Sequence, residues 1–178
     1  MRARQETCSF TGHRPAKLPW KSNEDDSRCV QLKHRIMDAV EIAYEEGYRH
    51  FLCGMAMGCD FYFCECVLAL RARKPDVTVE AVIPCPTQAE NWPPEEQLRY
   101  RMLVAACDDK TIVSRQYTPS CMQRRNRYLV DHASLLIAVY DGSGGGTRYT
   151  IQYAIGQGLD MVDLPVVVPD EKRSGKIR

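Results

Sequence analysis

The feature that most limits how this chain can fold is an alternation. Five short apolar segments, Cys8–Thr11, His50–Cys53, Val77–Ile83, Thr111–Val113 and Leu135–Tyr140, are separated by stretches with helical spacing, and a sixth follows at Met161–Leu164. Short apolar runs bounded by turn-forming residues predict buried strands. Between the first two, Leu32, Ile36, Val40 and Ala43 recur at helical spacing ahead of Gly47, which predicts one amphipathic crossover helix. From Phe61 to Leu70 the residues are almost wholly apolar, with Glu65 the single charge and Asp60 placed as an N-cap would be.

A third helix is expected to open at Pro93-Pro-Glu-Glu96 and to continue through Leu98, Met102 and Ala105. A fourth carries Met122, Leu129, Val130 and Ala133. The last opens after Gly144-Gly-Gly146 and stops at Gly156-Gln-Gly158. Repeated β-α units in one sheet require right-handed crossovers, so the expected class is α/β. The expected sheet is doubly wound and mainly parallel, with five to six strands and helices on both faces. Ligands in such sheets bind beyond the carboxyl ends of the strands.

A chain of 178 residues is the size of one domain, expected over residues 1–178, with a polar tail from about Pro169. With 24 basic against 23 acidic residues, the net charge of +1 gives no bulk attraction to nucleic acid or to a membrane. The polar start, Met1-Arg-Ala-Arg-Gln-Glu6, leads into no long apolar stretch, so a cytoplasmic location is expected. Nine cysteines are scattered, several inside apolar runs, and read as reduced thiols. Cys59, Cys64 and Cys66 lie close together but without a Cys-x-x-Cys pair or a nearby histidine, so no metal is expected.

The unusual residues fall after the strands. Gly144, Gly145, Gly146 and Thr147 follow the fifth strand at a helix start, where backbone N–H groups can approach a phosphate closely. The alternative is a flexible turn, since glycine is frequent in such loops. The segment lacks the lysine of a Walker loop and does not sit in the first βα turn, where the dinucleotide fingerprint belongs. Gly54-x-x-x-Gly58 forms a second glycine-bearing turn, equally expected from close helix–sheet packing.

After Gly12, Arg14 is the favoured donor for a phosphate, with His13 a second candidate. Gln88 could read a base edge and Trp92 could stack on a base, unless Trp92 simply packs. Glu65, alone among apolar neighbours, needs either a ribose hydroxyl or an arginine partner. Among Arg124, Arg125 and Arg127, most are expected on a solvated face, with Arg125 and Asn126 as site candidates. Asn126 falls on the helix stripe and should tie down a loop or reach a ligand.

Taken in order, Cys8-Ser-Phe-Thr-Gly-His-Arg-Pro15, Gly54-Met-Ala-Met-Gly-Cys-Asp60, Arg125-Asn-Arg-Tyr-Leu-Val-Asp131 and Tyr140-Asp-Gly-Ser-Gly-Gly-Gly-Thr147 resemble the YpsA-like family of the SLOG superfamily. The resemblance implies a Rossmann-like sheet and a site for a nucleotide or a nucleotide-derived ligand, such as one like ADP-ribose or NAD. LOG-type relatives are phosphoribohydrolases with a Gly-Gly-x-Gly-Thr-x-x-Glu motif whose acid is essential; the corresponding residue here is Thr150. Cleaving an N-glycosidic bond needs a carboxylate, and threonine is a poor substitute. Glu65 would have to serve as the catalytic acid.

Another relative, DprA, binds single-stranded DNA, a role that a near-neutral chain without a clear basic-aromatic groove fits poorly. The expectation is therefore a sensor or regulatory protein that binds its ligand without a required cofactor. The alternative is a glycosidic-bond hydrolase acting on a nucleotide. A homodimer through a sheet edge or helix pair is compatible with the pattern.

Overall fold

A computed structural model describes residues 2–169; most of the expected polar tail lies outside the described residues. Six strands form one sheet: β1 (Thr7–Thr11), β2 (His50–Cys53), β3 (Thr78–Ile83), β4 (Asp109–Ile112), β5 (Leu135–Tyr140) and β6 (Asp160–Pro165). Their order is β4-β3-β2-β1-β5-β6, and every neighbouring pair is parallel. Five helices connect them: α1 (Ser27–Glu45), α2 (Cys59–Arg73), α3 (Pro94–Ala106), α4 (Cys121–Asp131) and α5 (Gly146–Gly156). The doubly wound class expected from the alternation, Rossmann-like as the resemblance implies, is the one observed.

Local chemistry sets the helix limits. Asp26 caps α1 by accepting the Arg28 N–H at 2.9 Å. Gly47, at φ +103°, ends it in the left-handed conformation that a side chain resists. The N-cap of α2 is Gly58 rather than Asp60. Asp60 stands one residue inside the helix and reaches back to accept the Ala56 N–H at 3.0 Å.

The chain winds outward from β1 through β2 and β3 to β4, then crosses back to lay β5 on the other side of β1. Right-handed crossovers therefore put α1, α2 and α3 on one face and α4 and α5 on the other. The first face holds the larger core: Phe10 stacks on Phe63 with ring centroids 4.5 Å apart, and Phe51, Val79 and Ile137 lie in the same cluster. The second rests on two small clusters, Val130, Ala133, Leu136, Ala154 and Leu159 beneath α5, and Leu52, Val82 and Leu129 beneath α4. Among the described residues, no helix is long and apolar enough to cross a membrane.

Candidate functional site

Strand order reverses between β1 and β5, and a sheet that reverses leaves a crevice outside its carboxyl ends at that point. A cleft of about 360 Å³ opens there. Gly12, His13 and Arg14 after β1 form one wall, and Gly145, Gly146 and Thr147 at the start of α5 face them. Asp60, Arg125 and Asn126 also line it. Nine residues proposed from the sequence thus share one cavity although they come from four parts of the chain.

Glycines let these loops interlock. A Cβ on Gly12 would lie 2.5 Å from the Cβ of Cys59. Gly58 adopts φ +86°, and a Cβ there would lie 2.8 Å from the His13 carbonyl oxygen. A Cβ on Gly54 would collide with the Arg125 guanidinium, which donates to the Gly54 carbonyl. Gly54 and Gly58 thus serve close packing around the cleft and do not line it.

His13 is nearly fully buried and uses both ring nitrogens. Nε2 lies 2.8 Å from Asp141 Oδ1, and Nδ1 lies 3.4 Å from Thr147 Oγ1. The ring therefore ties the loop after β1 to the loop after β5. Asp141 also accepts the Ser143 N–H at 2.9 Å. Hydrogen bonds from Ser143, then His13, hold its carboxyl down at about 2.

Positive charge converges on the cleft. Lys17, in the 3-10 turn Pro15–Lys17, donates to the Gly144 carbonyl, and its Nζ lies 3.5 Å from the Ser143 hydroxyl. Lys17 carries no signal in the linear chain, because its proximity to the glycine loop exists only once the chain is folded. Arg14 reaches the Met122 sulfur at 3.8 Å. Arg125 is 6% exposed and donates to the Gly54 carbonyl and, at 2.9 Å, to Asn126 Oδ1. All of these acceptors are neutral. Burial pushes the Arg125 guanidinium below its ordinary range, and burial pushes the Asp60 carboxyl above its own, against the pull of Arg125.

Beside Asn126, which the helix stripe had singled out, Arg125 is the buried polar residue of α4. Cys121, Arg125 and Leu129 form the buried i, i+4, i+8 row, so the arginine faces inward. The N-terminal N–H groups of α5 lack intrahelical partners, as at every helix start, and point toward the same space. Gly145 precedes them at φ +131°, a conformation that only glycine adopts without strain.

Three other candidates lie elsewhere. Glu65 is on the α3 side of α2, where Arg99 donates to both its carboxylate oxygens at 2.9 and 3.0 Å and also to Glu24. It is neither a ribose ligand nor a catalytic acid of this cleft; the arginine partner is the reading that the fold selects. Trp92 packs edge-on against Phe61 and Tyr100, with centroids 6.0 and 5.5 Å away. Gln88 is buried and donates to the Gly54 carbonyl at 3.1 Å, bracing the loop after β2. Thr150 is fully buried, and its hydroxyl donates to the Gly146 carbonyl at 2.9 Å within α5.

The cysteines Cys59 and Cys64 are enclosed in the core beside α1. Burial raises the Cys59 thiol out of the range where it ionises, and raises Cys66 to about 12.

An open parallel sheet with a cationic, glycine-lined cleft at its switch point defines a protein of the Rossmann-like class. Residues 8–163 match the YpsA family, described as the YspA SLOG family, and the chain belongs to it. It is 32% identical over 139 residues to the uncharacterized SPbeta prophage-derived protein YoqJ of Bacillus subtilis, covering 70% of this chain and 81% of that one. To the UPF0398 protein YpsA of the same organism it is 23% identical over 144 residues, covering 80% and 79%. Among solved structures it resembles DNA processing protein A from Helicobacter pylori, described for its single-stranded DNA binding mode. That match has a TM-score of 0.60 at 14% identity and covers 92% of this chain but 66% of the other, a likeness of fold.

Proposed function

We propose that the switch-point cleft binds a nucleotide or nucleotide-derived ligand through its phosphate, and that the protein acts as a sensor or regulatory protein. The observation that carries this reading is the convergence of Arg14, Lys17 and Arg125, each bonded to neutral acceptors, on the glycine-lined start of α5. Helix N–H groups, an ammonium and a guanidinium together favour a phosphate over a neutral ligand. A volume of about 360 Å³ lies within the ordinary range for small-ligand pockets.

Hydrolysis of the glycosidic bond is the competing reading. Its support has narrowed to Asp60, because Glu65 is paired outside the cleft and Thr150 is neutral and enclosed. Asp60 accepts a backbone N–H and is buried, which suits holding a loop.

Calorimetric titration of ADP-ribose, NAD and AMP into the protein, with a short oligothymidylate alongside, tests the proposal. Saturable binding of a mononucleotide or dinucleotide, weakened at least ~10-fold by Lys17→Met, is expected from loss of one charged phosphate contact. No binding of any of them at millimolar concentration would overturn it. Tighter binding of the oligonucleotide would move the reading to single-stranded nucleic acid. Free adenine released from AMP over a long incubation would replace the sensor with an enzyme.

A further inference from the structure

A second polar cavity, of about 690 Å³, opens at the other end of the sheet, between the starts of the strands and the last turn of α4. His50 begins β2, Asp109 begins β4, and Glu80 lies directly opposite Asp109 in β3. Side chains alternate across a strand, so His50 and Leu52 share a face, and Leu52 packs with Leu129 of α4. Glu80, paired with Leu52 in the neighbouring strand, presents its carboxylate on that same face, where Tyr128 of α4 donates to it at 3.1 Å. One imidazole nitrogen and one oxygen from each carboxylate all lie within 4.8 Å of one another.

We propose that His50, Glu80 and Asp109 form a binding site for a divalent first-row transition-metal ion, separate from the nucleotide cleft. One imidazole with two carboxylates is a donor set suited to manganese, iron, cobalt or zinc. A bare ion pair explains the contact of His50 Nε2 with Glu80 Oε2 at 3.0 Å, but not the way each donor is steadied from behind. His50 Nδ1 lies 2.9 Å from the Thr78 hydroxyl, Glu80 Oε1 accepts from Thr111 at 2.7 Å and from Tyr128, and Arg2 holds Asp109 Oδ2 at 2.8 Å. Metal ligands are oriented by partners of this kind.

Without an ion, the neutral His50 tautomer protonated at Nε2 donates to Glu80 Oε2. With one, the proton moves to Nδ1 and is donated to the Thr78 hydroxyl oxygen, and the Nε2 lone pair turns to the metal. That oxygen also accepts from Arg2 at 2.6 Å and turns its own proton to the Arg49 carbonyl. Net proton count is unchanged. Arg2 occupies one Asp109 oxygen and leaves the other, and water from the open cavity completes the coordination sphere.

The test uses the full chain, stripped with chelator and kept with its thiols reduced. Mn2+ is titrated and its free aquo ion followed by electron paramagnetic resonance, because manganese disfavours the protein's many thiols. One ion bound per chain is expected, weakened ~10-fold or more by Asp109→Asn, a substitution on the exposed rim that leaves the core intact. His50→Asn should abolish binding, while Lys17→Met leaves it unchanged. Absence of saturable binding at millimolar Mn2+, or equal affinity in Asp109→Asn, overturns the proposal. So does an intense sulfur-to-metal absorption band on adding Co2+ that survives His50→Asn, since it places the ion on cysteines.

Discussion

His13 Nε2 lies 2.8 Å from Asp141 Oδ1, and this contact joins the two loops that leave the sheet on either side of its switch point. Asp141 titrates at about 2, below its ordinary 3.8, because Ser143 and then His13 bond the ionised carboxylate. A carboxyl whose folded value is depressed adds stability above its unfolded value and loses that contribution as pH falls through the folded one. Asp141→Asn is therefore expected to lower the melting temperature at neutral pH, with the gap to wild type closing between about pH 4 and pH 2. Melting temperatures across that window check it; a gap that persists at pH 2 would show that the loop contact does not depend on charge.

Gly54→Ala should disturb the cleft without touching the ligand. Its new methyl meets the Arg125 guanidinium, which is buried and cannot swing freely into water. A loss of about 1–3 kcal/mol in stability is expected from overpacking, together with weaker nucleotide binding. Urea denaturation and calorimetry on the same sample separate the two effects.

Gly145→Asp places a negative charge beside Lys17 Nζ and forces an L residue into φ +131°. Binding of a phosphate-bearing ligand should fall by at least ~10-fold, since the new carboxylate neutralises the lysine and opposes the helix dipole. Unchanged affinity in a folded variant would remove the glycine loop from the site.

Glu65→Gln should leave nucleotide affinity where it is. The side chain is half exposed and joined to Arg99, so stability is expected to fall by no more than about 1 kcal/mol. A large loss of affinity would return Glu65 to the binding machinery.

Much of the fold was legible because most strands are continuous apolar runs. The bounds of β2 and β5 match those read from the sequence, and β1, β3 and β6 differ only at their ends. β4 was displaced toward Thr111–Val113 because its real start, Asp109-Lys110, is exposed on the sheet edge and carries no apolar signal. The loops were found by their glycines, but the side chains between them were harder. Arg125 had a signal in its four-residue spacing from Cys121 and Leu129, obscured by two neighbouring arginines on the solvated side. Glu65 and Trp92 were attractive alone and lost their claim to partners on α3, a contact that no local pattern reveals. His50, Glu80 and Asp109 sit on three different strands, so no spacing rule for metal ligands could bring them together.

The uneven division of the core has a kinetic side. α1, α2 and α3 are anchored in the larger cluster, whereas α4 and α5 rest on smaller ones. Segments with fewer buried apolar contacts open more often than the whole chain unfolds. Amide hydrogens of α4 and α5 should accordingly exchange with deuterium before those of α1 and α2, and a bound nucleotide should slow them most. Occupancy of the cleft would then be felt on the outer surface of α4 and α5 as a loss of breathing, a signal that another molecule could read without any change of shape.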